Sequence, residues 1–302
     1  MAERTSTQIY VGLAITVVIG ALISWAGGIG GDQLGAFSIF AICGALAFLV
    51  NWLAYIPAVI KKTEHFYDLT GGITYITVII VAVLLSSPLD LRASIVAAMV
   101  LFWSIRLASF LFMRISRAGK DSRFDEMKHK PWNFLLAWTL QGLWVLLTAA
   151  CALAIISNGN RVPLGVIGYV GIAVWAIGIT IEIIADRQKS AFRADEANKG
   201  RFITTGLWAW SRHPNYFGEI VLWIGMAIIA VPVLQGWQWA TLISPVFVAF
   251  LLTKVSGVPL LEKAADERWG GEEEYEAYKQ ATPVLVMKPP AKSAAAESAL
   301  RG

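Results

Sequence analysis

The sequence predicts an all-α integral membrane protein, a bundle of about eight (seven to eight) transmembrane helices. Three observations carry this. Of the 302 residues 57% are hydrophobic and 15% charged, where a soluble domain has about 45–50% and about 25%. Mean hydropathy is +0.61. Apolar runs of about the length needed to cross the hydrocarbon layer recur along the chain. The thirteen Trp residues have a ready use as anchors at membrane boundaries. This composition excludes a disordered chain, a nucleic-acid-binding domain and most soluble folds.

Eight runs are candidates: 8–26, 36–60, 70–87, 91–113, 133–157, 163–186, 215–233 and 237–256. The first follows a lone Arg4 and ends near Ser24-Trp25-Ala26, a possible cleavage site. It reads as an uncleaved helix, and removing it leaves seven spans. The third is short, and the seventh begins with polar residues. No alternation of strand length dominates, so a β-barrel is not expected. Three segments follow: an extra N-terminal helix and loop over 1–35, the main transmembrane domain over 36–288, with its polar half over 100–288, and a low-complexity tail over 289–302.

Basic residues fall on alternate connections. Lys61 and Lys62 follow the second run, and Arg114, Arg117, Lys120, Arg123, Lys128 and Lys130 the fourth. Arg187, Lys189, Arg193, Lys199, Arg201 and Arg212 separate the sixth from the seventh, and Lys263, Arg268, Lys279, Lys288, Lys292 and Arg301 follow the eighth. The other connections hold Arg92 and Arg161. The positive-inside rule makes the basic set cytoplasmic, with both termini inside. The net charge is only +4.

The richest polar stretch is Arg187 to Pro214, which leads straight into the seventh run. Pro214 suits the first turn of a helix, capped by Ser211 or His213. A helix N-terminus beside Arg212 and His213 is a good place for a phosphate. Asn215 and Glu219, four apart, share a face that enters the membrane, where a carboxylate costs at least about 2.5–3.5 kcal/mol unless it has a use. Glu182 and Asp186 are also four apart, near the end of the sixth run, and suit either ribose hydroxyls or a structural ion pair. Arg114, Arg117 and Arg123 form a basic loop suited to phosphates or to anionic lipid. Tyr67 and Asp68, after His65, open the third run; Asp68 is either a helix cap or an acid.

Other signals are missing. No P-loop, GxSxG or HExxH occurs, and Gly27-Gly28-Ile29-Gly30-Gly31 does not complete a dinucleotide fingerprint. Cys43 and Cys151 lie in apolar runs, without metal-ligand spacing or the setting of a nucleophile.

The stretch Phe192-Arg193, Asn198 to Phe202, Thr205 to Trp208 and Ser211 to Glu219 resembles the C-terminal signature of the steroid 5-alpha-reductase superfamily. More narrowly, the chain is similar to bacterial membrane proteins of the DUF1295 type. The runs Arg106 to Phe124, Gln141-Gly142 and Lys254 to Glu262 fit as well. The resemblance implies a cytosolic cofactor-binding loop and an NADPH-dependent oxidoreductase that passes hydride to a conjugated C=C of a lipid or steroid-like substrate, at the bacterial inner membrane. Asp186, Arg193, Asn215 and Lys254 match cofactor-lining positions. Glu219 matches a glutamate at the mouth of the substrate cavity. Glu182 stands where the steroid enzymes carry an Asn. Lys199, Ser211, Arg212, His213, Tyr216 and Glu262 complete the expected cofactor set. The steroid enzymes' adjacent Gln and Glu have no counterpart here, and Asp68 with Tyr67 is the substitute.

Two other classes stay open. Isoprenylcysteine methyltransferases, which use S-adenosylmethionine, share the RHPxYxGE pattern. The loop cations favour a phosphate-bearing cofactor over one without phosphate. A non-enzymatic lipid carrier predicts an internal repeat, and none is visible. The expected partners are the bilayer and a lipid-soluble small molecule.

Overall fold

The computed structural model describes residues 6–118 and 124–290, with side chains 111–118 excepted. Ten α-helices are present among them: α1 Ser6–Gly28, α2 Ile39–Lys61, α3 Tyr67–Leu85, α4 Leu91–Ala118, α5 Pro131–Ile156, α6 Val166–Ala194, α7 Pro214–Ala230, α8 Ile243–Phe250, α9 Val258–Trp269 and α10 Glu273–Ala281. A two-strand ribbon, Gln33–Leu34 with Phe37–Ser38, joins α1 to α2. Seven segments are long and apolar enough to cross a membrane, the last being the composite Gly236–Trp269. Helix α7 is apolar but shorter. The chain is a multi-pass, all-α membrane protein, and exposed side chains such as Leu22, Leu53, Leu84 and Ile177 are what lipid-facing helices present.

Helix ends follow local chemistry. Ser38 caps α2, its Oγ accepting from the Ala41 amide at 3.2 Å. Lys62 ends that helix in the left-handed region, φ 49°. Pro131 opens α5 at a position where no amide is needed. Helix α3 begins at Tyr67, three residues before the expected run. Asp68 therefore lies inside its first turn and is not its cap, which is Phe66; a carboxylate there still suits the helix dipole.

The fold divides into two compact units: Met1–Val170 with Met226–Ser244, and Gly171–Gly225 with Pro245–Gly302. In the first, α5 is the axis. It is apolar all round and 89% buried over its most apolar window, and α1, α2, α3 and α4 all pack on it. Small residues bring the helices close. Gly142 of α5 faces the Ala47 carbonyl and Phe48 of α2. Two polar side chains tie helices together in this core. Asn51 Nδ2 donates to Thr74 Oγ1 at 3.2 Å and Gln141 Nε2 to the Tyr67 carbonyl at 3.0 Å.

The connections at one end of this unit are tied by charge. Arg92, 1% exposed, donates to the carbonyls of Ile229 at 2.7 Å, Pro163 at 2.9 Å and Val162 at 3.4 Å. Arg161 pairs with Asp32 at 3.2 Å, and Asp32 also accepts from Ser87 N and Oγ. Near the other basic connection, Lys128 pairs with the buried Glu64 at 2.9 Å. An aromatic cluster of Phe66, Tyr67, Phe124, Phe134 and Trp138 lies beside it.

The second unit rests on a close antiparallel contact of α6 with α7. A Cβ on Gly218 would lie 2.6 Å from the Gly178 carbonyl and 2.7 Å from the Glu182 amide nitrogen. One on Gly225 would lie 2.7 Å from the Gly171 carbonyl. Only glycine at these positions lets the two backbones approach so closely.

Candidate functional site

The α6–α7 contact fixes the polar residues at its end. Glu182 is 3% exposed on α6, level with Gly218. One turn on, Asp186 Oδ1 accepts from Asn215 Nδ2 at 3.2 Å. The remaining amide oxygen of Asn215 is buried without a hydrogen-bond partner among the described residues. Glu219 follows one turn later on α7, half-buried. Two expected pairs on two different helices thus meet in one place.

The helix start is built as the sequence suggests. Pro214 is the first residue of α7, and the His213 carbonyl accepts the first helical bond, from Phe217 at 3.1 Å. Ser211 has a structural post: its Oγ accepts from the His213 amide at 3.1 Å and donates to the Leu285 carbonyl at 2.9 Å. The Arg212 amide donates to the Pro283 carbonyl, and Lys288 closes back on Trp210. The segment after α10 therefore straps the loop down, a role with no signature in the sequence. Beneath the loop, Trp208 donates to the Ala185 carbonyl at 3.1 Å, and Gly206, φ +61°, lets the chain turn over Gln188.

Arg212 and His213 converge on Glu262 of α9, at 2.8 and 2.7 Å. Tyr216 stacks on His213, centroids 5.7 Å apart and planes 12° apart, and its ring edge approaches Gly257. Lys254 is exposed on a π-turn, Leu251–Val255, just before that glycine; such turns recur at functional sites.

Behind this triad lies a cavity of about 240 Å³. Lys189, Arg193, Arg201, Arg212 and Arg268 line it against the single carboxylate of Glu262. Phe202, Trp208, Trp269, Tyr275 and Tyr278 form much of the rest. Burial pushes the hydroxyls of Tyr275 and Tyr278 above their ordinary range, so both stay neutral. They bond Asp266 at 3.0 Å and the Trp208 carbonyl at 2.7 Å.

The other expected residues lie elsewhere. Lys199 is exposed in the loop and does not line this cavity. Tyr67 and Asp68 belong to the first unit, where the Tyr67 hydroxyl donates to the Ala137 carbonyl at 3.0 Å. The side chains of Arg114 and Arg117, and all of Arg123, fall outside the described residues. Sequence reasoning left Lys189, Arg201, Arg268 and the aromatic wall unassigned. Their usable signal was the clustering of cations on the connections around α7.

No solved structure matches the chain. An uncharacterized protein of the fission yeast Schizosaccharomyces pombe is 23% identical over 176 residues, 48% of this chain and 51% of the relative. The chain thus spans about half the length of that relative. The family described as "Protein of unknown function (DUF1295)" matches residues 54–282, which hold the α6–α7 constellation and the cationic cavity alike, and the chain belongs to that family.

Proposed function

We propose that this protein is a membrane-embedded, NADPH-dependent reductase of a conjugated C=C in a lipid or steroid-like molecule. The observation that carries the reading is that the second unit holds both the buried Glu182 with the half-buried Asp186, which bonds Asn215, and a cationic, aromatic cavity lined by His213. The residues fit the cofactor. Glu182 and Asp186 suit ribose hydroxyls, the orphaned Asn215 oxygen suits an amide donor, and the cavity cations suit phosphates. When bound, NADPH supplies a hydride, and its chemistry asks little of the protein beyond orientation and a dry pocket.

In this reading the chain's own residues bind and orient. Asn215, held by Asp186, fixes the nicotinamide end. Glu219 stands at the mouth of the substrate cavity. A bound NADPH would supply the hydride for the β-carbon of the enone. The basic connections face the cytoplasm, where NADPH is found, and the substrate enters from the bilayer.

The test is ligand stabilisation of the purified full chain in detergent. NADPH at 100 times its Kd should add about 2.7 kcal/mol to apparent stability, and Asn215→Ala should abolish the gain. No stabilisation by NADPH would sink the reading. Stabilisation by S-adenosylmethionine alone would make the protein a methyltransferase.

A further inference from the structure

We infer that residues 282–288, the strap that closes over the loop before α7, lie in the headgroup region of the bilayer, with Trp210, Val284 and Val286 against lipid and Lys288 at the outer edge. The strap is then a membrane-bound part of the second unit, whatever ligand its cavity takes.

Level is the first ground. The apolar run of α6 gives way to charge at Asp186-Arg187. Before that point Ile177 and Ile184 are exposed, as lipid-facing residues are. Trp208 donates to the Ala185 carbonyl at 3.1 Å, and Asn215 Nδ2 to Asp186 at 3.2 Å. The chain from 208 to 215 therefore stands where the hydrocarbon layer ends. The strap is bonded to this chain at three points. The Arg212 amide donates to the Pro283 carbonyl at 2.9 Å, and the Lys288 amide to the Trp210 carbonyl at 2.9 Å. Ser211 Oγ donates to the Leu285 carbonyl at 2.9 Å. These bonds hold the strap at the same level.

Chemistry is the second ground. Pro283 to Met287 carries no charge. Exposure alternates along it, as side chains do along an extended chain: Val284, Val286 and Lys288 are exposed, and Pro283, Leu285 and Met287 partly buried. Val286 is 66% exposed, and Val284 and Trp210 are 39% exposed. In water this apolar area would stay unburied, whereas lipid removes it from water. An indole suits the boundary, its ring in the apolar layer and its N–H toward water. A lysine just past two valines can lay its stem on the lipid and keep its ammonium among the headgroups.

The helices on either side of the cavity make the contrast. Between Lys263 and Gln280 no large apolar side chain is exposed among the described residues. Helices α9 and α10 present Lys263, Glu267, Arg268, Glu273 and Glu274 instead. One surface of the unit is made for water, and the strap, a few residues further on, is not.

On the strap's side the three bonds use only backbone atoms, so its exposed side chains can be changed without breaking them. The experiment places a bimane on Val286→Cys and, separately, on Val284→Cys, in the full chain reconstituted into phosphatidylcholine vesicles. Cys43 and Cys151 are buried, so the label goes to the introduced thiol, and the unlabelled parent serves as the check. Lys263→Cys, on the exposed side of α9, is the aqueous reference. Interfacial apolar groups reach about 5–10 Å into the headgroup–acyl boundary, so lipid brominated high on its acyl chain should quench the strap bimanes at least about threefold more than the reference. Aqueous iodide should quench in the opposite order. Melting of the strap variants should match the parent. Strap bimanes quenched by iodide as strongly as the reference would overturn the inference. Protection from both quenchers would overturn it as well, because protein and not lipid would then cover the strap.

Discussion

Arg92 in the first unit and Arg268 in the second are the same side chain put to opposite uses. Arg92 is buried, and its three donor nitrogens all end on carbonyl oxygens. Arg268 is exposed at a cavity, lies over an indole and has no carboxylate among the described residues. The contrast extends to their neighbours. In the first unit Arg161, Asp32, Lys128 and Glu64 are joined in pairs. Around the second unit's cavity five cations face one carboxylate. A charge whose bonding is complete holds the fold, and a surplus of one sign beside a cavity is capacity for a ligand.

The largest expected effect tests the structural side. Arg92→Leu keeps apolar volume but strands the carbonyls of Ile229, Pro163 and Val162. The Ile229 carbonyl is buried and those of Val162 and Pro163 part-buried; an unmet buried acceptor costs about 1–3 kcal/mol, so with smaller losses at the other two the variant should lose about 3 kcal/mol in detergent unfolding. The fraction that stays folded should bind NADPH with parental affinity. A parental unfolding midpoint would show that water reaches these carbonyls and would weaken the contrast.

Gly218→Ala is the intermediate case, because it strikes the frame that positions the site. Its Cβ meets backbone on α6, which cannot swing aside as a side chain can. Overpacking of this kind costs about 1–3 kcal/mol. Parting α6 from α7 should also break the Asp186–Asn215 bond, so NADPH stabilisation should fall more than tenfold while the protein remains folded. Gly165→Ala meets nothing within 4 Å and should change neither property. Full NADPH affinity in Gly218→Ala would show that the helix contact does not position the site.

Much of this was legible in the sequence because hydropathy is local. The apolar runs gave the spans, and Pro214 after Arg212-His213 gave the start of α7. The pairs Glu182/Asp186 and Asn215/Glu219 gave the carboxylate face, since helical spacing fixes which residues share a side. What failed was nonlocal. Arg92 read as a minor charge on an outer connection, because its acceptors lie 71 and 137 residues away. Asp68 read as either a cap or an acid because the apolar run shows only from residue 70, whereas α3 begins at Tyr67. The strap of residues 282–288 left no trace, as its bonds use backbone atoms that any sequence supplies. One nonlocal feature did leave a mark. Gly171 and Gly178 repeat the seven-residue spacing of Gly218 and Gly225, and that match foretells a close pair of helices.

The smallest expected effect concerns pH and compares the units' two lysine pairs. Glu64 hydrogen-bonds Lys128 and raises its pKa above the ordinary 10.5. Asp266 does the same to Lys279. A cation whose pKa is higher in the folded state adds stability that is complete below the unfolded value and is lost as pH climbs through the folded one. Both contributions should therefore be present at neutral pH and fade above about pH 10. The units differ in what remains. Glu64 is 1% exposed, Asp266 half-exposed, so neutral Lys128 leaves a carboxylate in a far drier place. The alkaline loss should be nearly abolished by Lys128→Met and only slightly reduced by Lys279→Met. Equal reductions would mean that solvent screens Glu64 as well as it screens Asp266, and that the first unit's charged pairs are no more committed than the second's.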